Sequence, residues 1–285
     1  MPLSTIAKAY RLPVKEFEQQ YKHHLSDFHE WDQKDHAEEY IVFPENIGTH
    51  LSIDETSLTN GELYTIVTNK SARGRKGALV AMIKGTKVTD IAPILRKISY
   101  TKRSMVTEVT LDMANSMEAS VREVFPNVTL VTDRFHVQQL VTNALQEVRI
   151  DLRREAIKEE NKEVQQARKE KIPYRPKIYE NGDTKKQLLA RSRYLLFKPM
   201  STWSYLQKER AMILFKQYPQ LQRSYGLSMM FRSCYEKNMT IPTARKSLRR
   251  WYEKVEKKNI DSFITAAESI RLHETTILNY FINRS

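Results

Sequence analysis

Two short β-branched runs, each closed by an aspartate, constrain this chain more than any other feature. Leu51-Ser52-Ile53 ends at Asp54, and Val109-Thr110-Leu111 ends at Asp112. Such runs read as buried strands, where a carboxylate is costly unless it is paired or binds a metal. For either aspartate taken alone, a strand-end or turn role is explanation enough. The two together, on strands whose order makes them neighbours, point to a divalent-metal site suited to phosphoryl transfer on nucleic acid. Glu55 follows Asp54 directly and so faces the opposite side of its strand, as a solvent-facing or supporting group.

The periodicity around these runs sets the architecture. Residues 3–31 read as short helices about Arg11-Leu12-Pro13, resembling part of a helix-turn-helix, and residues 37–50 as a transition. Strands are expected at 51–54, at 62–68 after a turn at Asn60-Gly61, at 78–83, at 106–111 and at 128–131. Helices are expected at 89–98 and 113–125. Hairpins first and crossovers later describe an α/β fold, a ribonuclease-H-like mixed five-stranded sheet flanked by helices. From residue 134 onward only helical spacing is seen, with Trp203, Tyr205, Phe215, Trp251, Phe263 and Phe281 as expected core anchors. The expected division is 1–49, a helical N-terminal segment; 50–150, the core; and 151–285, a basic all-helical region.

Charge narrows the partners. Lys and Arg number 47 against 34 Asp and Glu, a formal charge of +13, which favours a polyanion, most simply DNA or RNA. Residues 150–200 hold 14 Lys or Arg and 8 Asp or Glu. Their plain reading is a solvated helical surface with a proline-broken loop at Lys169–Lys177. The functional reading is a DNA-contacting surface of Lys169, Lys171, Arg175, Lys177, Arg191 and Arg193, interleaved with Tyr174, Tyr179 and Tyr194. The turn Arg73-Gly74-Arg75-Lys76-Gly77 reads as a hairpin tip whose cations touch phosphate. One cysteine, Cys234, rules out an internal disulfide framework. No apolar stretch approaches a membrane span and no secretory leader is recognisable, so a soluble intracellular protein is expected.

Two further groups stand out. In Asp133-Arg134-Phe135-His136, Asp133 can cap the helix that follows, or it and His136 can support a metal site; it can also do both. Arg134 joins the DNA-contacting candidates. His23, His24, His29 and His36 lack cysteine partners and lie in polar sequence, which argues against a metal site.

The strings IDETSL and VTLDMANSMEASVREVFPNVTLVTDRFHV resemble the DDE transposases of bacterial insertion sequences, the ISL-three family. The matching features are Asp54-Glu55, Asp112-Met113-Ala114, Phe125-Pro126-Asn127 and Thr132–Val137, with a looser likeness through ILNYFINRS. The resemblance implies a ribonuclease-H-like core interrupted by a helical insertion, with Asp54 and Asp112 as catalytic acids that bind Mg2+ (or Mn2+). It also implies double-stranded DNA as partner, at both transposon ends and target, with a homo-oligomer forming on it. The implied setting is the bacterial cytoplasm, at the nucleoid when DNA is bound. In the family a glutamate follows the segment resembling ILNYFINRS as third acid, so a chain ending at Ser285 is expected to be incomplete; the family's zinc-ribbon is likewise not expected. An inactive DNA-binding derivative and an unrelated ribonuclease-H-like nuclease are the other readings.

Overall fold

The computed structural model describes residues 2–58, 61–235 and 239–284, so Asn60 of the expected Asn60-Gly61 turn lies outside the described residues. The chain forms two compact units, residues 1–129 and 130–285. The strands are β1 (Tyr40–Val42), β2 (His50–Ser57), β3 (Leu63–Asn69), β4 (Leu79–Lys84), β5 (Glu108–Leu111) and β6 (Thr129–Thr132), in the sheet order β1-β4-β3-β2-β5-β6. The sheet is therefore mixed and six-stranded, not five-stranded. The additional strand is β1, antiparallel to β4 within the stretch expected to be a transition. Three residues are too few to show a two-residue alternation, and only pairing with β4 makes them a strand.

β2, β3 and β4 form an antiparallel meander, and β5 then joins β2 in parallel. The parallel junction needs a crossover, supplied by α3 (Val88–Leu95) and the short α4 (Tyr100–Ser104); α5 (Asn115–Val124) follows β5. α3 packs on α5, and Ile91, Leu95, Met117, Val121 and Val124 bury their side chains with Leu51, Ile53, Val67 and Val109 of the sheet. The N-terminal stretch holds α1 (Leu3–Ala9) and α2 (Val14–Gln20). Arg11 takes a left-handed φ of 56° between them.

In the second unit β6 leads straight into α6 (Arg134–Lys169), 36 residues long. Val137, Val141, Ala144, Leu145 and Val148 form its buried stripe, at a spacing of three and four that keeps them on one face. Against α6 pack α7 (Lys185–Arg191), α9 (Pro219–Ser233) and α11 (Asp261–Leu272). α8 (Tyr205–Gln217), α10 (Ile241–Lys258) and α12 (Glu274–Asn283) complete the bundle. Among the described residues no strand follows β6, only an isolated bridge between Ile178 and Thr184. Trp203, Phe215, Trp251, Phe263 and Phe281 are buried as expected, and the two indoles donate to the carbonyls of Leu195 and Leu227. Tyr205 is not a core residue: it is 73% exposed. It is the first residue of α8, beside the Ser204 cap, where the side chain points away from the packed face.

One buried acid organises this bundle. Asp183 is fully buried and accepts from Arg210 Nε at 2.9 Å and from the Arg191 guanidinium, fastening the loop before α7 to both α7 and α8. Burial alone pushes its carboxyl up, but the hydrogen bonds from Arg210 and Arg191, and their charges, outweigh burial and hold it below the usual range. A depressed folded-state pKa means that its stabilisation is complete above the ordinary carboxylate range and is lost as pH falls through the lower folded value. Asp183→Asn should cost roughly 3 kcal/mol, because it leaves two guanidinium groups without their anion. Urea unfolding at neutral pH checks this, and the difference from the unsubstituted chain should shrink as the pH is taken below about 4.

Candidate active site

The parallel pairing of β2 with β5 runs His50 beside Glu108, Leu51 beside Val109 and Ser52 beside Thr110. Asp54 lies on β2 two residues beyond the last paired rung, and Asp112 follows the last residue of β5. Strand alternation then separates two faces. Leu51, Ile53, Val109 and Leu111 point into the core. On the opposite face the paired rungs are polar, His50 with Glu108 and Ser52 with Thr110.

Each aspartate is oriented locally. Asp112 Oδ1 accepts from the Ala114 amide at 2.7 Å, at the start of α5, and Asp54 Oδ1 accepts from the Glu55 amide at 2.8 Å. Glu55, which alternation sends to the other face, nonetheless lies within the field of both. Burial first, then the charges of Asp112 and Asp54, push its carboxyl above the usual range. Like charges that act on one another are also relieved by a cation. Among the described residues no group of three or more His, Cys, Asp or Glu is arranged to hold a metal ion. Asp54 and Asp112 both act on the Glu55 carboxyl, and two carboxylates by themselves are an incomplete oxygen cage for a hard divalent ion.

Lys70, which sequence reasoning passed over, ties this region together. It lies just after β3, yet its Nζ donates to Thr110 Oγ1 on β5 at 2.8 Å and stands 3.7 Å from the buried carboxylate of Glu108. Because β2 lies between β3 and β5 in the sheet, the side chain straps three strands at the last paired rung before the aspartates. Lys70→Met should cost roughly 1–3 kcal/mol by leaving these groups without their charged donor. Lys70→Arg should recover part of that in the same urea titration. A midpoint unchanged in Lys70→Met would refute the strap.

Asp133 and His136 belong to the second unit. Asp133 is the N-cap of α6, its carboxylate accepting from the Phe135 amide at 2.8 Å, so the capping role is the one its hydrogen bond displays. His136 stands edge-on to Phe135. Arg134 lies over the Tyr235 ring, 5.1 Å from its centroid. Of the other basic candidates, Arg73, Arg75 and Lys76 are exposed on the β3–β4 connection, Lys169 at the last position of α6, and Lys171, Arg175 and Lys177 on the stretch after it. Arg193 is exposed beside Tyr194. Arg191 differs, since its guanidinium is engaged by Asp183. Sequence reasoning also missed Arg149, which is buried and held by two neutral acceptors, Gln146 Oε1 and the Leu189 carbonyl. Burial and the neighbouring Arg193 and Arg153 push its pKa down. Of the four histidines, His23 and His29 hydrogen-bond to each other, and His36 stacks on Tyr40.

A family model described as transposase, of the ISL-three DDE type, matches residues 51–285, well over half of the chain. The chain belongs to the ISL-three family of DDE transposases. The match begins at the first core residue of β2, the strand that carries Asp54, and runs through α12. Membership brings transposition as the function, DNA as the partner and, across the family, general use of a divalent metal. Comparison with curated proteins and with solved structures found no match. No helix among the described residues is long and apolar enough to cross a membrane.

Proposed function

We propose that this transposase cleaves and joins DNA strands at Asp54 and Asp112, on a ribonuclease-H-like core of residues 50–150. The observation that supports the reading is the parallel pairing of β2 with β5 as far as Ser52 and Thr110, two residues short of each aspartate, with both aspartates acting on the Glu55 carboxyl. The meander β4-β3-β2, then β5 parallel to β2 with β6 beyond it, supports the ribonuclease-H-like assignment, with β1 as an added edge. In this reading Asp54 and Asp112 hold Mg2+ or Mn2+. A divalent ion held there supplies Lewis-acid stabilisation of the attacking and leaving oxygens at phosphorus. The amides of Glu55 and Ala114 fix the carboxylate orientations, so little reorganisation is needed when the ion binds. Residues 151–285 act as a basic helical insertion that holds transposon-end and target DNA, and residues 1–49 as an accessory helical segment. The protein works as a homo-oligomer on that DNA, at the nucleoid. The test is calorimetric titration of Mn2+ into the chain and into Asp54→Asn and Asp112→Asn. Binding that both substitutions leave untouched would overturn the assignment.

A further inference from the structure

The second unit carries a hollow of about 650 Å³ beside α9, with Met200, Tyr225, Gly226, Met229, Arg134 and Tyr235 among its lining residues. A second hollow of about 570 Å³ shares Met200 and Phe215 with it and adds Lys208 and Lys216. We infer that the first hollow takes one unpaired nucleotide of the DNA substrate, its base on the methionine and tyrosine floor and its phosphate between Arg134 and Arg232. The inference rests on the DNA-processing reading above and deepens it.

Four observations converge on that ligand. The first is charge: every charged residue lining either hollow, Arg134, Arg232, Lys208 and Lys216, is cationic, and among the described residues no carboxylate lines them. An anion is therefore selected. The second is the floor. Met200 is 54% exposed there, and a polarisable thioether beside aromatic rings suits a flat, apolar face. The third is Gly226. It sits inside α9, where glycine is the least favourable residue after proline. An added Cβ would meet nothing within 4 Å, and its φ is not left-handed, so neither packing nor backbone geometry demands glycine. What glycine does provide is a floor open down to the main chain.

The fourth observation is Tyr235. This residue is 5% exposed, lines the hollow, and among the described residues its hydroxyl has no hydrogen-bond partner. The ring stacks on Phe281, with the Arg134 guanidinium over it. A buried hydroxyl left without a partner is unusual in a folded protein, and because it is sealed from solvent as the ring stands, the polar edge of a base would satisfy it by drawing the ring toward the hollow. Anion, flat apolar body and hydrogen-bonding edge together describe a nucleotide. Within a duplex the base is stacked and inaccessible, so the nucleotide must be unpaired. The size fits, since pockets for ligands of this class run from roughly 300 to 1,000 Å³.

The test compares a blunt DNA hairpin with the same hairpin carrying a short unpaired 3′ overhang that contains 2-aminopurine. The chain should bind the overhang about tenfold more tightly than the blunt form, with a change in 2-aminopurine fluorescence. Gly226→Leu, which fills the hollow from an open helix position, should remove that preference and leave blunt-hairpin affinity unchanged. Gly226→Ala, which adds one methyl group to the floor, should raise the melting temperature and lower the preference less than Gly226→Leu does. Tyr235→Phe, which removes only the hydroxyl, should reduce the preference several-fold. Equal affinity for the two hairpins, or a preference that Gly226→Leu retains, would overturn the inference while leaving DNA binding itself intact. A dimer that Gly226→Leu dissociates, with the hairpin preference unaltered, would assign the hollow to a second copy of the chain instead. Absence of binding to either hairpin would defeat the DNA reading, and this inference with it.

Discussion

Asp54→Asn and Asp112→Asn are each expected to weaken Mn2+ binding by more than the roughly 10–100-fold that loss of a merely supporting partner causes, while DNA affinity stays as it was. Asparagine is the informative replacement. Its side-chain oxygen can still accept from the Glu55 amide at position 54 and from the Ala114 amide at position 112, so the end of β2 and the start of α5 keep their local bonds. Only the negative charge is lost. With two carboxylates in the pair, removing one halves the charge that faces the ion. In any DNA-cleaving form of the enzyme the same substitutions should therefore lower cleavage by at least about 10³-fold. A metal-free check is also available. The charges of Asp112 and Asp54 help to push the Glu55 carboxyl up, so Asp112→Asn should bring the Glu55 titration, followed by NMR, back toward its ordinary range. A Glu55 titration that does not move would mean that the two carboxyls are not neighbours.

The reason the aspartates could be found from the sequence is local. Each ends a β-branched run, and the signal needs only a few consecutive residues. The hairpin-first order of elements then suffices to make the two strands adjacent, as the β2–β5 pairing has them. What the sequence concealed depends on contacts far apart along the chain. β1 becomes a strand only because β4 offers it an edge. Lys70 reads as one more basic residue near a turn, and its reach to Thr110 and Glu108 exists only once β2 has been laid between β3 and β5. Asp183 follows Asn181-Gly182 and looks like a turn residue, although the folded bundle buries it between two arginines. Tyr205 fails in the opposite sense. Aromatic identity suggested the core, but its place at the first position of α8 turns it to solvent, whereas Trp203, two residues earlier, is buried.

The largest effect on binding is expected from salt. Raising the salt from 50 to 200 mM should weaken DNA binding by about 10³–10⁵-fold, the range for a protein that neutralises some six to ten phosphates. The net charge of +13 supports that many contacts. Arg73, Arg75, Lys76, Lys169, Lys171, Arg175, Lys177 and Arg193 are exposed, and none of them forms an ion pair among the described residues. Arg191 should contribute less, because Asp183 already occupies its guanidinium. Each contacting cation replaced by alanine should make the slope of log K against log salt shallower by about one. Arg73, Arg75 and Lys76 therefore form one test set, and Lys169, Lys171, Arg175 and Lys177 a second. Arg191→Ala is the internal contrast: it should lower the melting temperature through loss of its Asp183 contact while changing the salt slope little. If either cluster can be neutralised without altering the slope, that cluster does not face DNA. If Arg191→Ala flattens the slope as much as a cluster member does, the division between structural and DNA-facing arginines drawn from Asp183 is wrong.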